Sequence, residues 1–177
     1  MTSSVLIKLN DEYYIKSDRH SFSMCLDRGD RKFPGGIVSR YFEPITWHGS
    51  ISEMEYTINR KEINPNPEYL NFADMEKEFF QFCANVDEEF KSEISIANFE
   101  IVFDKDSIVL KDGKKNLSYH NKIGQAIKNA YIMKLRVSET NSWEKATDIL
   151  NIVHKQAKEI VDKLKEINKN YEGKDKP

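Results

Sequence analysis

One pattern is written twice in this chain. Residues 13–24, YYIKSDRHSFSM, return at 99–110 as FEIVFDKDSIVL, so that Tyr13 falls on Phe99, Ile15 on Ile101, Asp18 on Asp104, Ser21 on Ser107 and Met24 on Leu110. Further along, Trp47-His48-x-x-Ile51 returns as Tyr119-His120-x-x-Ile123. The spacing of Asn71, Phe72, Met75 and Phe79 likewise returns in Ser142, Trp143, Ala146 and Leu150. Matched positions keep their apolar or polar character while the side chains change, as two stretches sharing a backbone geometry and a core would require.

Each copy can be read for its elements. Alternation of Tyr13, Ile15, Ser17 and then Phe22, Met24, Leu26 predicts two antiparallel strands around a turn opened by Asp18; Phe99, Ile101, Phe103 and Ile108, Leu110 do the same around Asp104. The aspartate suits the turn because its carboxylate accepts a backbone N–H two residues later. A third strand is expected over 40–46 and over 115–119. It leads into a helix capped near Gly49-Ser50 or Asn121, with Ile51, Met54, Ile58 or Ile123, Ala126, Ile127, Ala130 on its apolar face. A longer second helix follows from Asn71 or Ser142. The expected fold is therefore α+β, a tandem duplication of a three-strand antiparallel sheet plus two helices, related by a pseudo-twofold axis.

A chain of 177 residues buries roughly 70% of its unfolded surface, so two intimately packed repeats in one domain are expected rather than two independent bodies. The units span 11–91, with an inserted loop at 27–40, and 97–170, before a flexible tail at 171–177. No apolar run reaches membrane-spanning length and no basic-then-apolar leader follows Met1, so the expectation is a cytoplasmic protein with no membrane partner. Cys25 and Cys83 lie far apart without a CxxC, which reads as two buried thiols rather than a zinc site or a disulfide. Phosphate loops, nucleophile elbows and metalloprotease motifs are all missing, and no catalytic residue, metal or cofactor is assigned.

Charge divides the chain. Residues 53–93 carry eleven acids against four bases, a net of -7, while residues 105–177 carry sixteen bases against ten acids, a net of +6. Within the acidic stretch Glu76, Glu78, Glu88 and Glu89 are read as an exposed helical face opposite Phe72, Met75, Phe79 and Phe82, suited to competing for a basic surface on a partner.

The inserted loop is the largest departure from the repeat: 22 residues separate Met24 from Trp47, but only eight separate Leu110 from Tyr119. Arg28, Arg31, Lys32 and Arg40, with Phe33 beside Pro34-Gly35-Gly36, make a basic tip suited to phosphates or an acidic protein surface. His48 and His120 stand at equivalent positions and suggest acid–base or metal chemistry. No carboxylate or third ligand stands at a completing distance in the sequence, and capping geometry explains their retention as well. Among the aromatic residues, Tyr14, Phe33, Tyr41 and Phe42 have no repeat-matched core role and are the ones free to stack on bases.

Tyr13, Tyr14, Ile15, Ser17, Asp18 and Phe22 resemble the opening YYI-x-S-D segment of a group of small phage and prophage proteins of unknown function. Tyr119, His120, Gln125, Ala126, Leu135, Arg136 and Ser138 look like the helix that follows in those proteins. The resemblance implies a mobile-element protein and supplies no catalytic residues. Small phage proteins of this kind act by occupying a host machine, so the expected function is a binding protein that inhibits a host defence system. Its most specific form is an anti-CRISPR acting on a type II effector nuclease, a host protein or ribonucleoprotein. The alternative is a nucleic-acid-binding accessory of phage replication or regulation, and a small enzyme using the paired histidines ranks third.

Overall fold

The computed structural model describes residues 4–90, 99–104, 107–112 and 122–172. Among them the fold is α+β, with a four-strand antiparallel sheet, a separate two-strand sheet and four α-helices. The strands of the larger sheet are β1 (Leu6–Lys8), β2 (Tyr13–Ser17), β3 (Phe22–Lys32) and β4 (Val38–His48), paired in that order. A 3₁₀ turn at Ser52–Met54 leads into α1 (Glu55–Arg60), and α2 (Pro67–Glu89) follows. The smaller sheet is β5 (Phe99–Asp104) with β6 (Ser107–Asp112), and α3 (Ile123–Val137) and α4 (Trp143–Glu172) complete the order.

The chain forms two compact units, one from Met1–Lys77 with Ile132–Asp148 and the other from Glu78–Tyr131 with Ile149–Pro177. Each draws on both sequence repeats. In the first unit, one face of the sheet is buried through Ile7, Ile15, Phe22 and Met24, because strand alternation sends i and i+2 side chains to the same side. The backbone at Thr140 joins the sheet's margin: Leu6 N–H donates to Thr140 O at 2.9 Å and Thr140 N–H donates to Ser4 O at 2.8 Å. Ser17, buried, accepts from Val5 N–H at 2.9 Å and donates to Arg136 O at 2.9 Å, while Trp143 Nε1–H donates to Lys8 O at 2.9 Å. The Ser17 hydroxyl and the Trp143 indole N–H are thus satisfied within the unit, while the buried Arg136 Nε has no hydrogen-bond partner among the described residues.

In the second unit, Phe79 stands edge-on to Tyr131 with ring centroids 5.1 Å apart, and His154 packs against Phe79 and Phe82 at 5.2 and 5.0 Å. Gly124 lies so near α2 that an added Cβ would fall 1.9 Å from Cys83 O, and Asp87 Oδ1 accepts the Gly124 N–H at 2.6 Å. Glycine is required there by close approach, and the aspartate takes up a free amide at the helix start.

The two hairpins expected from the repeat are both present. In the first, Tyr13 pairs with Leu26, Ile15 with Met24 and Ser17 with Phe22; in the second, Phe99 pairs with Asp112, Ile101 with Leu110 and Phe103 with Ile108. Asp18 Oδ1 accepts the backbone N–H groups of His20 at 2.7 Å and Ser21 at 2.8 Å, which is the turn chemistry its side chain predicts. The third strand expected at 115–119 lies outside the described residues.

Three expectations change. A strand that the repeat does not contain, β1, opens the sheet and pairs Leu6 with Lys16. The segment expected as a loop at 27–40 is mostly strand, because β3 and β4 continue as one long hairpin past a bulge between Asp27 and Asp30. The helix expected to be capped at Gly49-Ser50 begins instead with the 3₁₀ turn, without a side-chain cap from its own N-cap residue. The second helix of the first repeat starts a turn earlier than the expected Asn71, with Pro67 as its first residue, while that of the second repeat starts where expected, with Ser142 Oγ accepting Lys145 N–H at 3.2 Å ahead of α4. Trp143, Ala146, Leu150, Val153, Ala157 and Val161 are buried along α4 as the spacing predicts. Of the expected tail at 171–177, residues 171 and 172 belong to α4 and 173–177 lie outside the described residues.

Candidate partner-binding surface

The outer half of the β3–β4 hairpin gathers most of the sequence-predicted basic and aromatic residues. Its bulge turns on Gly29, which adopts φ 72° and donates its N–H to Asp27 Oδ1 at 2.9 Å. Two residues of β3, Arg28 and Gly29, stand there opposite Tyr41 alone, as in a bulge with glycine in the left-handed region. At the tip, Phe33 N–H donates to Ile37 O at 2.8 Å around Pro34-Gly35-Gly36, with φ 91° and 82° at the glycines.

Side chains on the two faces of this arm are held differently. On one face the Arg31 guanidinium lies over Tyr41 at 4.8 Å and over Phe33 at 5.7 Å, and Arg28 Nε–H donates to Glu43 Oε2 at 2.5 Å. On the other face Arg40 Nε–H donates to Asp27 Oδ2 at 2.9 Å, with a second guanidinium contact to the same carboxylate. That pairing holds the Asp27 carboxyl below its ordinary range and raises the guanidinium above its own. Arg40 also lies 5.9 Å from the Tyr14 ring centroid and 6.0 Å from that of Phe42, whose rings are tilted 4.8 Å apart. Arg31 and Lys32 make no ion pair among the described residues and are exposed, as are Ile37 at 66% and Val38 at 61%. The structure therefore brings Arg28, Arg31, Lys32, Phe33 and Arg40 onto one protruding element.

The acidic face of α2 is smaller than the sequence suggests. Glu76 is fully buried, and its Oε1 accepts the Ser52 N–H at 2.8 Å at the opening of the 3₁₀ turn. The correction has a physical cause: Glu76 stands four residues after Phe72 and three before Phe79, both buried, so it occupies the core stripe. Its carboxylate there takes up an amide that no local cap satisfies. Glu78, Glu88 and Glu89 are exposed as expected, with Glu89 paired to Lys165 Nζ at 3.2 Å.

His48 lies at the base of the hairpin, half-buried, with Nε2 2.8 Å from Thr46 Oγ1, and burial lowers its pKa below the ordinary value near 6.5. His120 lies outside the described residues. His154, which the sequence did not single out, has its pKa lowered by burial and then by Lys158, and its Nε2 has no hydrogen-bond partner. Cys25 and Cys83 are buried free thiols; burial raises both pKa values, that of Cys83 to about 12, which keeps it protonated and unreactive at neutral pH. Among the described residues no group of three His, Cys, Asp or Glu side chains is arranged to hold a metal ion, and no helix is long and apolar enough to cross a membrane.

Sequence reasoning also passed over Trp47 as a site residue, using it only to mark the repeat. Its side chain is 61% exposed beside Thr46 and His48, which pair with the buried Met24 and Phe22. Period-two alternation from those neighbours is the signal that points Trp47 outward. Comparison with protein-family models, curated proteins and solved structures finds no match to this chain.

Proposed function

We propose that this is a non-enzymatic binding protein of phage or mobile-element origin that disables a host defence machine by covering one of its surfaces. In its most specific form the target is a type II CRISPR effector nuclease. The observation that carries this reading is the β3–β4 arm, which projects cationic and aromatic side chains that serve no core. Arginine and aromatic residues dominate binding hot spots because they bury large areas while offering directional contacts. The net charge of -7 over residues 53–93 supplies a complementary field toward a basic surface, with Glu78 and Glu88 on its exposed side.

Target cleavage by a purified type II effector loaded with guide RNA, titrated with this protein, tests the proposal. Inhibition should saturate near equimolar protein, and the pair Arg31→Glu and Lys32→Glu should weaken it about tenfold at unchanged melting temperature. No inhibition at large excess removes the CRISPR form of the proposal.

The duplication belongs to the same reading. It is supported by the two hairpins, whose strands pair in equivalent registers when one repeat is laid on the other. An experimental structure with residues 115–119 paired as a third strand beside β6 would strengthen it, and a helix there would count against it.

A further inference from the structure

We propose that the outward face of the four-strand sheet binds single-stranded nucleic acid, with Trp47 and the Tyr14–Phe42–Arg40 cluster as stacking surfaces and Lys16 as a phosphate contact. This goes beyond the occupation of a defence protein and stands without it.

One face of the sheet is closed by the core through Ile15, Phe22 and Met24, each fully buried. Alternation sends Tyr14, Lys16 and Trp47 to the opposite face, and the contacts of Arg40 and Phe42 with Tyr14 put them there too. Lys16 and Trp47 both pair with Ser23 on β3, so they share one cross-strand row, two strands and roughly 10 Å apart. Phe42 pairs with Asp27, four residues further along β3 than Ser23, or about 13 Å away. The Trp47 indole and the tilted Tyr14–Phe42 pair are thus set apart along the strands. The Lys16 ammonium, 5.5 Å from the Phe42 centroid, stands on the same face.

The chemistry favours a nucleic acid over an acidic peptide. An indole left 61% exposed on a sheet face offers a broad π surface that a carboxylate ligand does not use, whereas every base has a face that stacks on it. Arg40, held against two rings and anchored by Asp27, presents a guanidinium plane, another surface on which unstacked bases rest. Lys16 makes no ion pair among the described residues, which leaves its charge available to a phosphate. Single strands suit this site better than duplex because stacking needs bases that are not already stacked.

The test is anisotropy of a fluorescein-labelled oligothymidylate titrated with the full chain at low salt. Saturable binding is expected, weaker for a duplex of equal length. Trp47→Ala should weaken it about tenfold or more, and Trp47→Phe should restore much of the loss. Lys16→Gln should reduce the slope of log affinity against log salt by about 0.7. Melting temperatures near wild type establish that both variants fold. Three results overturn the proposal: no saturable binding, equal binding of duplex and single strand, or affinity unchanged in Trp47→Ala and Lys16→Gln together. Displacement of the oligonucleotide by polyglutamate at equal potency would assign the face to acidic peptides instead.

Discussion

In the inner half of the β3–β4 hairpin, Phe22 and Met24 are fully buried, with Thr46 and His48 as their cross-strand partners. In the outer half the same two strands continue past the Gly29 bulge, yet Arg28, Asp30, Arg31, Lys32 and Arg40 are all exposed. The inner half is held by removal of apolar surface from water. The outer half is held by its backbone ladder, while guanidinium–ring contacts and the Arg28–Glu43 and Arg40–Asp27 pairs line its two faces. The exposed Arg28–Glu43 pair adds little to stability, whereas the Arg40–Asp27 pair sets an exposed guanidinium on a carboxylate that is itself buried.

The sharpest way to break this comparison is to empty the inner half. Phe22→Ala should cost about 3–5 kcal/mol through lost burial and a residual cavity, measured by urea unfolding. A loss below about 1 kcal/mol would mean that the inner half is no more core than the arm. Gly29→Ala tests the joint between the halves. An added Cβ meets open space, but φ 72° is unfavourable for alanine, so a loss of about 1–2 kcal/mol is expected from backbone strain alone. If stability is unchanged, the bulge does not constrain the arm.

Acidity separates the halves more gently. His48 at the base has a pKa below the ordinary 6.5, chiefly through burial, with Glu53 partly opposing the shift. The unfolded chain then binds the proton more readily than the folded one, so the stability tied to neutral His48 is present above pH 6.5 and is lost as pH falls through the folded pKa. Thermal melts at pH 7.5 and 5 should show a smaller acid loss in His48→Gln than in wild type. An equal loss in both would place the acid sensitivity elsewhere, with His154 the next candidate because its shift has the same sign. The smallest expected effect is in the arm itself: Arg31→Ala with Lys32→Ala should change stability by no more than about 0.5 kcal/mol. A larger loss in urea unfolding would make these side chains structural.

What the sequence disclosed follows the same division. The pairing of 13–17 with 22–26 was legible because one face is buried, and burial imposes an alternation that composition can carry. Beyond Leu26 the run Asp27-Arg28-Gly29-Asp30-Arg31-Lys32 is polar on both faces, so no period remains and the glycines read as a loop. The strands persist there because backbone pairing does not require an apolar side. Glu76 was misread for the converse reason. A carboxylate reads as turned to water, although its spacing from Phe72 and Phe79 places it in their apolar stripe. Trp47 shows that the outward residues were equally legible once the inward ones were known. The basic arm was identified by composition alone, since its charge density survives any error about its backbone.

The cap that Glu76 provides to Ser52 also sets an order of events. The segment from Gly49 to Arg60 contains no side chain that takes the Ser52 amide, and the group that does so is 24 residues downstream. During synthesis the amide must therefore wait on water until the middle of α2 has left the ribosome. A nascent chain whose emerged part ends between Tyr69 and Glu76 would have the Tyr69 hydroxyl on Ile51 O but leave the Ser52 amide on water, so full protease protection at this turn should arise only when residue 76 emerges.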